Sequence, residues 1–396
     1  MTDAVRPGGP VLLMLATAAF VSLAGTRLCD AMLPALAQAF DTGTVEASAV
    51  VSAYAIGYAV TQLLWGPVGD RHGKLRVIVI AALVCTAITL AAAAATSLTA
   101  LVLARAAMGA AAAGIFPLGL AWISDNVPLA QRQQALARFS GVSVFGMILG
   151  PLLGGLLSEV WSWRGAFLVV ATMYAIIAWV VWRRDRAAMA EPQPAARANA
   201  SLVQGLRHLW ALPWARVVLL ATAAEVALGI GCVAMAPTVL HQRFGLPLDK
   251  AGAVVALFGI GGFLFSRAAP WMLHRVPRPR LPALGGAIMG ASIASLGAIP
   301  DWGWAAPACV IAGFGFFTLH NTLQVQVTQL APDASGLSFS AFTAFNFFGQ
   351  SAGVAVIALA WARFGDTPVF LVCGAGLVAL GLAMSVLIQR RGQAPT

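Results

Sequence analysis

The chain has 396 residues, 60% of them hydrophobic and 10% charged, where a soluble globular protein carries about 25% charged residues. That composition excludes a soluble enzyme, and at about 20 apolar residues per bilayer crossing it can fill roughly a dozen spans. The net charge of +10 comes from 24 Lys and Arg scattered thinly among apolar runs; they form no basic stripe, which excludes nucleic acid as a partner.

The first nine residues hold one Arg and no small-residue cleavage signal follows, so Pro10 onward reads as a retained first span. Turn residues and charges punctuate the chain into twelve expected spans. Spans 1 to 6 fall at 10–38, 48–69, 77–96, 98–121, 134–158 and 165–182, and spans 7 to 12 at 214–240, 250–271, 281–299, 303–328, 338–361 and 367–389. The stretch from Arg183 to Trp210, with Pro192 and Pro194, reads as a linker that includes a surface helix around Leu202 to Trp210. The expected organisation is an all-α membrane protein with a six-helix bundle at 1–184, a linker at 185–212 and a second six-helix bundle at 213–396.

With both termini on one side, the loops there carry seventeen Lys and Arg, from Arg6 to Arg391, against four on the other side: Arg164, Arg243, Lys250 and Arg363. The positive-inside rule then puts the termini in the cytoplasm. Arg27, Arg105 and Arg267 fall inside spans. The five cysteines are widely spaced in apolar runs and read as small hydrophobes, with neither metal nor redox spacing. The sequence contains neither a nucleotide-binding Gly-x-x-x-x-Gly-Lys-Ser/Thr loop nor a nucleophile with its base, so no cofactor, no metal and no enzymatic activity are expected.

The two halves repeat each other. Cys29 to Pro34 (Cys-Asp-Ala-Met-Leu-Pro) meets Cys232 to Pro237 (Cys-Val-Ala-Met-Ala-Pro) at an offset of 203, and Gly57, Arg71, Gly109 and Pro128 meet Gly261, Arg275, Gly313 and Pro332 at 204. Gly146 and Gly150 return as Gly349 and Gly353. Duplicated six-helix halves with a site between them are a transporter architecture.

Between spans 2 and 3 the chain reads Gly66-Pro67-Val68-Gly69-Asp70-Arg71-His72-Gly73-Lys74-Leu75-Arg76. This resembles the cytoplasmic loop signature of the major facilitator superfamily, and the likeness extends over the whole chain. Gly66 and Gly69 are expected to allow close helix approach, and Asp70, Arg71, Gly73 and Lys74 to form a charged gating loop. The second-half equivalent, Pro270 to Arg280, lacks the carboxylate. Gly146, Gly150, Pro151, Gly154 and Gly155 in span 5 resemble the motif of that family's twelve-helix drug:proton antiporters, although small residues four apart also serve plain helix packing. Arg105 with Gly109 and Gly114 resembles the span 4 motif of proton antiporters, with Met108 where Gln is usual. The resemblance implies a monomer in the inner membrane of a bacterium.

Ionisable groups inside spans cost about 2.5–3.5 kcal/mol or more and are functional candidates by default. Asp30 and Arg105 lie about 16 and 12 Å below the far surface at 1.5 Å per residue, and Arg27 shares a helix face with Asp30. Asp30 is expected to carry a coupling proton, because desolvation and a neighbouring arginine pull its protonation in opposite directions; the alternative is a static pair with Arg27. Glu225 in span 7 is a candidate for proton relay or for a cationic substrate group, the alternative being a carboxylate paired structurally with Arg267 or another helix. By the family resemblance, spans 1, 4, 7 and 10 line a central cavity. His320, Asn321 and Gln324 form an expected polar stripe there, and Tyr54, Tyr58, Phe345 and Asn346 are candidates for the cavity wall. The function implied is a proton-coupled antiporter exporting small amphipathic molecules, with an importer or symporter of a small organic solute as the alternative. Its partners are the substrate, protons and the lipid bilayer.

Overall fold

The computed structural model describes residues 9–184, 202–328, 330 and 335–393. Arg6, most of the linker and the repeat residue Pro332 lie outside the described residues. Among those described, no residue is in a strand, and ten helices are long and apolar enough to cross a membrane. A further span is the bent pair Thr44–Thr61 and Trp65–His72, with 57° between its parts. Span 1 is Gly9–Arg27, then turn residues 28–32, then Leu33–Ala39. The surface helix expected after the linker is present as Leu202–Ala211.

Four expected spans are interrupted, and proline gives the reason for three of them, the break of span 8 at Leu257 having no proline four residues on. A proline lacks an N–H and its ring clashes with the carbonyl four residues back. Counting four back from Pro34, Pro67 and Pro117 gives Asp30, Leu63 and Ala113, and the helix breaks at each. Span 4 is accordingly Leu98–Ala112 followed by Ile115–Asn126. Pro151 and Pro237, by contrast, are carried inside the continuous spans 5 (Leu129–Val160) and 7 (Pro213–Phe244).

The repeat in the sequence is a repeat in packing. Cβ atoms added at Gly146 and Gly150 of span 5 would press on the backbone of Phe20 and Ala24 in span 1. Their counterparts Gly349 and Gly353 in span 11 (Ser335–Phe364) meet Ala223 and Ala227 in span 7 in the same way. Likewise Gly57 and Gly109 join spans 2 and 4, while Gly261 and Gly313 join span 8 (Leu248–Ala256 and Phe258–Arg275) to span 10 (Ala305–Thr328). Because a bilayer gives no hydrophobic drive between helices, such backbone-to-backbone contact supplies the dispersion that holds them. Spans 3 and 6 (Lys74–Ala93 and Trp163–Arg184) pack together, as do spans 9 and 12 (Leu281–Ala298 and Asp366–Gln393). All five cysteines are buried and free.

One expectation about glycine is corrected. At Gly69 an added Cβ would run into Leu118, but at Gly66 it would meet nothing within 4 Å. Gly66 lies on the exposed side of the kinked segment, so it mediates no close approach.

Candidate functional site

Asp30 occupies the break that Pro34 imposes on span 1. The Nε of Arg27 donates to Asp30 Oδ2, and both side chains are buried. Asp30 Oδ1 is buried without a hydrogen-bond partner. The carboxylate is therefore only half satisfied, an expensive state for a buried polar group. Arg105, also buried, turns elsewhere: its Nε donates to the Val50 carbonyl at 3.2 Å and its Nη1 to the Gly25 carbonyl at 2.9 Å. Its guanidinium carbon lies 4.2 Å from the centre of the Tyr54 ring. Arg105 thus ties spans 1, 2 and 4 together, and of the two cations expected near Asp30 it is Arg27 that makes the direct pair. The Tyr54 hydroxyl donates to the Ser22 carbonyl at 3.1 Å.

In the second half, Glu225 pairs with His320 at 2.9 Å, not with Arg267. Arg267 is exposed and lies over the Phe263 ring. Glu225 is wholly buried with Oε1 unpartnered, whereas the His320 side chain is 17% exposed, so the imidazole is the accessible face of the pair. Phe316 stacks on that imidazole at 4.8 Å and Phe342 lies 5.0 Å from it. The polar stripe of span 10 divides: Gln324 follows His320 one turn on, while Asn321 points around the helix and donates to the Phe317 carbonyl at 2.8 Å. Phe345 stacks on Trp210 of the surface helix, and Asn346 is half-buried.

Contacts between the two halves run from the end opposite the termini toward the middle of the bundle. Span 5 meets span 8 where added Cβ atoms at Gly155 and Gly252 would lie 2.8 and 2.9 Å from the carbonyl carbons of Leu248 and Pro151. Span 2 meets span 11 where Tyr58 stacks on Phe347 at 3.9 Å and Ser351 Oγ donates to the Ser52 carbonyl at 3.0 Å. Gln242 Nε2 to Thr44 Oγ1 at 3.1 Å and Leu248 N to Glu159 Oε2 at 3.4 Å complete the seam. Arg27 reaches a small void in it, lined from both halves by residues such as Pro151, Val233 and Phe317. At the terminal end the charged loop is closed on its own half: Lys74 Nζ reaches Asp70 at 2.9 Å and Asp125 at 2.6 Å. Arg71 is exposed, and Gly73 has φ +88°.

Sequence reasoning missed Asp125 as the second acid on Lys74, and the Glu225–His320 pair. Counting depth would have found the latter. Glu225 is twelve residues into span 7 and His320 eight from the end of span 10, about 18 and 12 Å from the same surface. It also missed Trp65, whose Nε1 donates to the Ala110 carbonyl at 3.0 Å beside the bend of span 2.

Comparison with known proteins agrees with this architecture. The family model described as Major Facilitator Superfamily matches residues 15–354. An uncharacterized MFS-type transporter, YceJ of Bacillus subtilis, is 27% identical over 346 residues, covering 85% of each chain. The multidrug resistance protein Stp of Mycobacterium tuberculosis is 30% identical over 159 residues, 40% of this chain and 30% of its own. Among solved structures, the peptide transporter POT in complex with sulfate superposes with a TM-score of 0.79 at 16% identity, over 97% of this chain and 96% of that one. A family match across most of the chain, on twelve segments packed as two repeated sets of six, makes this multi-pass, non-enzymatic membrane carrier a member of the major facilitator superfamily.

Proposed function

We propose that this transporter is a proton-coupled antiporter that exports small amphipathic molecules by alternating access. The observation that carries the reading is Asp30: a carboxylate at a helix break beneath the inter-half seam, held by Arg27 through one oxygen and left without a partner on the other. A proton there, or a substrate group engaging Arg27, breaks the same ion pair, so occupancy by one opposes the other. Glu225 with His320 supplies a second titratable pair on the side of the seam nearer the termini, where a proton arriving from that side is handed on. The moving units are residues 1–184 and 213–396, joined by 185–212, with the termini in the cytoplasm and the chain acting as a monomer in the inner membrane. Export is supported by the glycine-proline run of span 5 and by the partial likeness to Stp.

The test is proton flux in proteoliposomes loaded with a pH-sensitive dye, with hydrophobic drugs and organic anions added in turn. Export coupled to protons gives a compound-triggered pH change against the drug gradient that Asp30→Asn abolishes in a folded protein. Proton and compound moving in the same direction replaces exchange with symport. Compound movement with no proton signal in either protein removes Asp30 from coupling and leaves it a structural partner of Arg27.

A further inference from the structure

A pocket wholly inside the second half lies outside the seam and the buried charge pairs. It is about 540 Å³, within the usual range of small-molecule sites, and is bounded by spans 8, 9, 10 and 12 toward the end that carries the termini. Its wall on spans 8 and 12 is apolar, with Phe265, Met272 and Ile388. The wall on span 10 is polar over two turns: Thr318, Asn321, Thr322 and Gln326, a rise of about 12 Å. At its mouth stands Arg278, beside the first turn of span 9 at Leu281.

The hydrogen bonding of the polar wall decides what it can accept. The hydroxyls of Thr318 and Thr322 donate to the carbonyls of Phe314 and Thr318, both at 2.8 to 2.9 Å, and Asn321 Nδ2 donates to the Phe317 carbonyl. The two hydroxyl donors and one Asn321 N–H are therefore taken. What remains is mainly acceptors, the oxygen lone pairs of the two hydroxyls and the Asn321 Oδ1, with the second Asn321 N–H as a donor. The mouth is of opposite character. The guanidinium of Arg278 favours an anion; the first turn of span 9 adds little to it, because the Leu281 N–H already donates to the Arg278 carbonyl and Pro282 has no N–H. The frame is rigid, because Ser385 Oγ of span 12 donates to the Pro279 carbonyl at 2.5 Å and Gly286 and Gly381 seat spans 9 and 12 on each other's backbone.

We infer that this pocket binds an amphipathic organic anion, its acidic head at Arg278, its apolar side on spans 8 and 12, and a hydroxyl or amide donor on its body facing Thr318, Asn321 and Thr322. Every lining residue comes from the second half, so the site persists whichever end of the seam is open, and binding needs neither the proton cycle nor the transport direction proposed above. A second groove supplies the control. About 640 Å³ lies between spans 7, 11 and 12, lined by Leu228, Val356, Phe364 and Val372 and by no charged residue.

The experiment is photolabelling of the full chain in lipid nanodiscs with a diazirine-bearing stearic acid, mapped by peptide mass spectrometry, with 12-hydroxystearate, stearate and octadecanol as competitors. The expected result is label on the peptides holding Phe265 to Leu273 and Thr318 to Gln326, displaced by 12-hydroxystearate at about tenfold lower concentration than by octadecanol, the equivalent of one charge-assisted contact. Arg278→Gln should erase that preference while leaving label in the Val356 groove unchanged, which also reports that the variant is folded. Equal competition by octadecanol, an unchanged preference in Arg278→Gln, or label confined to the Val356 groove each overturns the assignment.

Discussion

A single methyl group at Gly155 tests whether the glycine seam between spans 5 and 8 sets the conformational equilibrium. In Gly155→Ala the new Cβ would lie 2.8 Å from the carbonyl carbon of Leu248 in the other half, where ordinary contact begins at 3.4 Å. The Leu248 carbonyl oxygen is nearer still, so the halves must part locally by about 1 Å or more, and overpacking of this kind costs about 1–3 kcal/mol. If that cost falls on the closed seam alone, the ratio of seam-open to seam-closed molecules rises about 5- to 150-fold. Gly146→Ala is the matched control, because its Cβ would lie the same 2.8 Å from the Phe20 carbonyl carbon, but within one half. There the cost falls on folded stability and lowers the melting temperature. The assay is the distance distribution between spin labels at Thr96→Cys and Lys250→Cys, both exposed at the seam end, in a chain whose five native cysteines are buried. Gly155→Ala should lengthen the distances with a small change in melting temperature, and Gly146→Ala should do the reverse. An unaltered distribution in Gly155→Ala, or the same response from both variants, refutes the reasoning.

Gly73→Ala places a side chain at φ +88° and should cost about 1–3 kcal/mol in thermal unfolding, whereas Gly66→Ala, with open space around its Cβ, should change nothing measurable. Lys74→Met removes both contacts to the half-exposed Asp70 and Asp125; with partners this exposed the loss should be no more than about 1 kcal/mol per pair, and high salt should lower wild-type stability while leaving the variant unaffected. For the buried pair, Glu225→Gln and His320→Gln should each cost about 1–3 kcal/mol. The double variant should lose less than the sum of the two, read as coupling in a double-mutant cycle of melting temperatures; strict additivity would mean that the 2.9 Å contact contributes nothing.

Much of the architecture was legible because the bilayer demands simple things of a sequence. Long uncharged runs such as Val77 to Ala104 have one physical use, and the matched glycines Gly57/Gly261 and Gly109/Gly313 reappear as paired helix contacts because only hydrogen side chains permit backbone contact at those crossings. The breaks at Asp30, Leu63 and Ala113 were equally available in principle, each four residues before a proline. The partners of the buried ions were less so. Depth along a helix follows from residue count, but the direction in which a side chain leaves the helix among its neighbours does not. Arg105 could therefore be placed near Asp30 and still spend its donors on Gly25 and Val50.

By itself the sequence determined the membrane class, the near-dozen crossings, the duplication and the residues that cannot be buried without a reason. Those follow from composition, period and the cost of charge in hydrocarbon, which act residue by residue. Tertiary structure alone decided that Glu225 meets His320 and not Arg267, that Asn321 leaves the stripe for a separate pocket, and that the halves join at one end through Gly155 and Gly252. Each of these depends on the rotation of one helix about its axis relative to another, a quantity set by packing between residues about a hundred apart in the sequence.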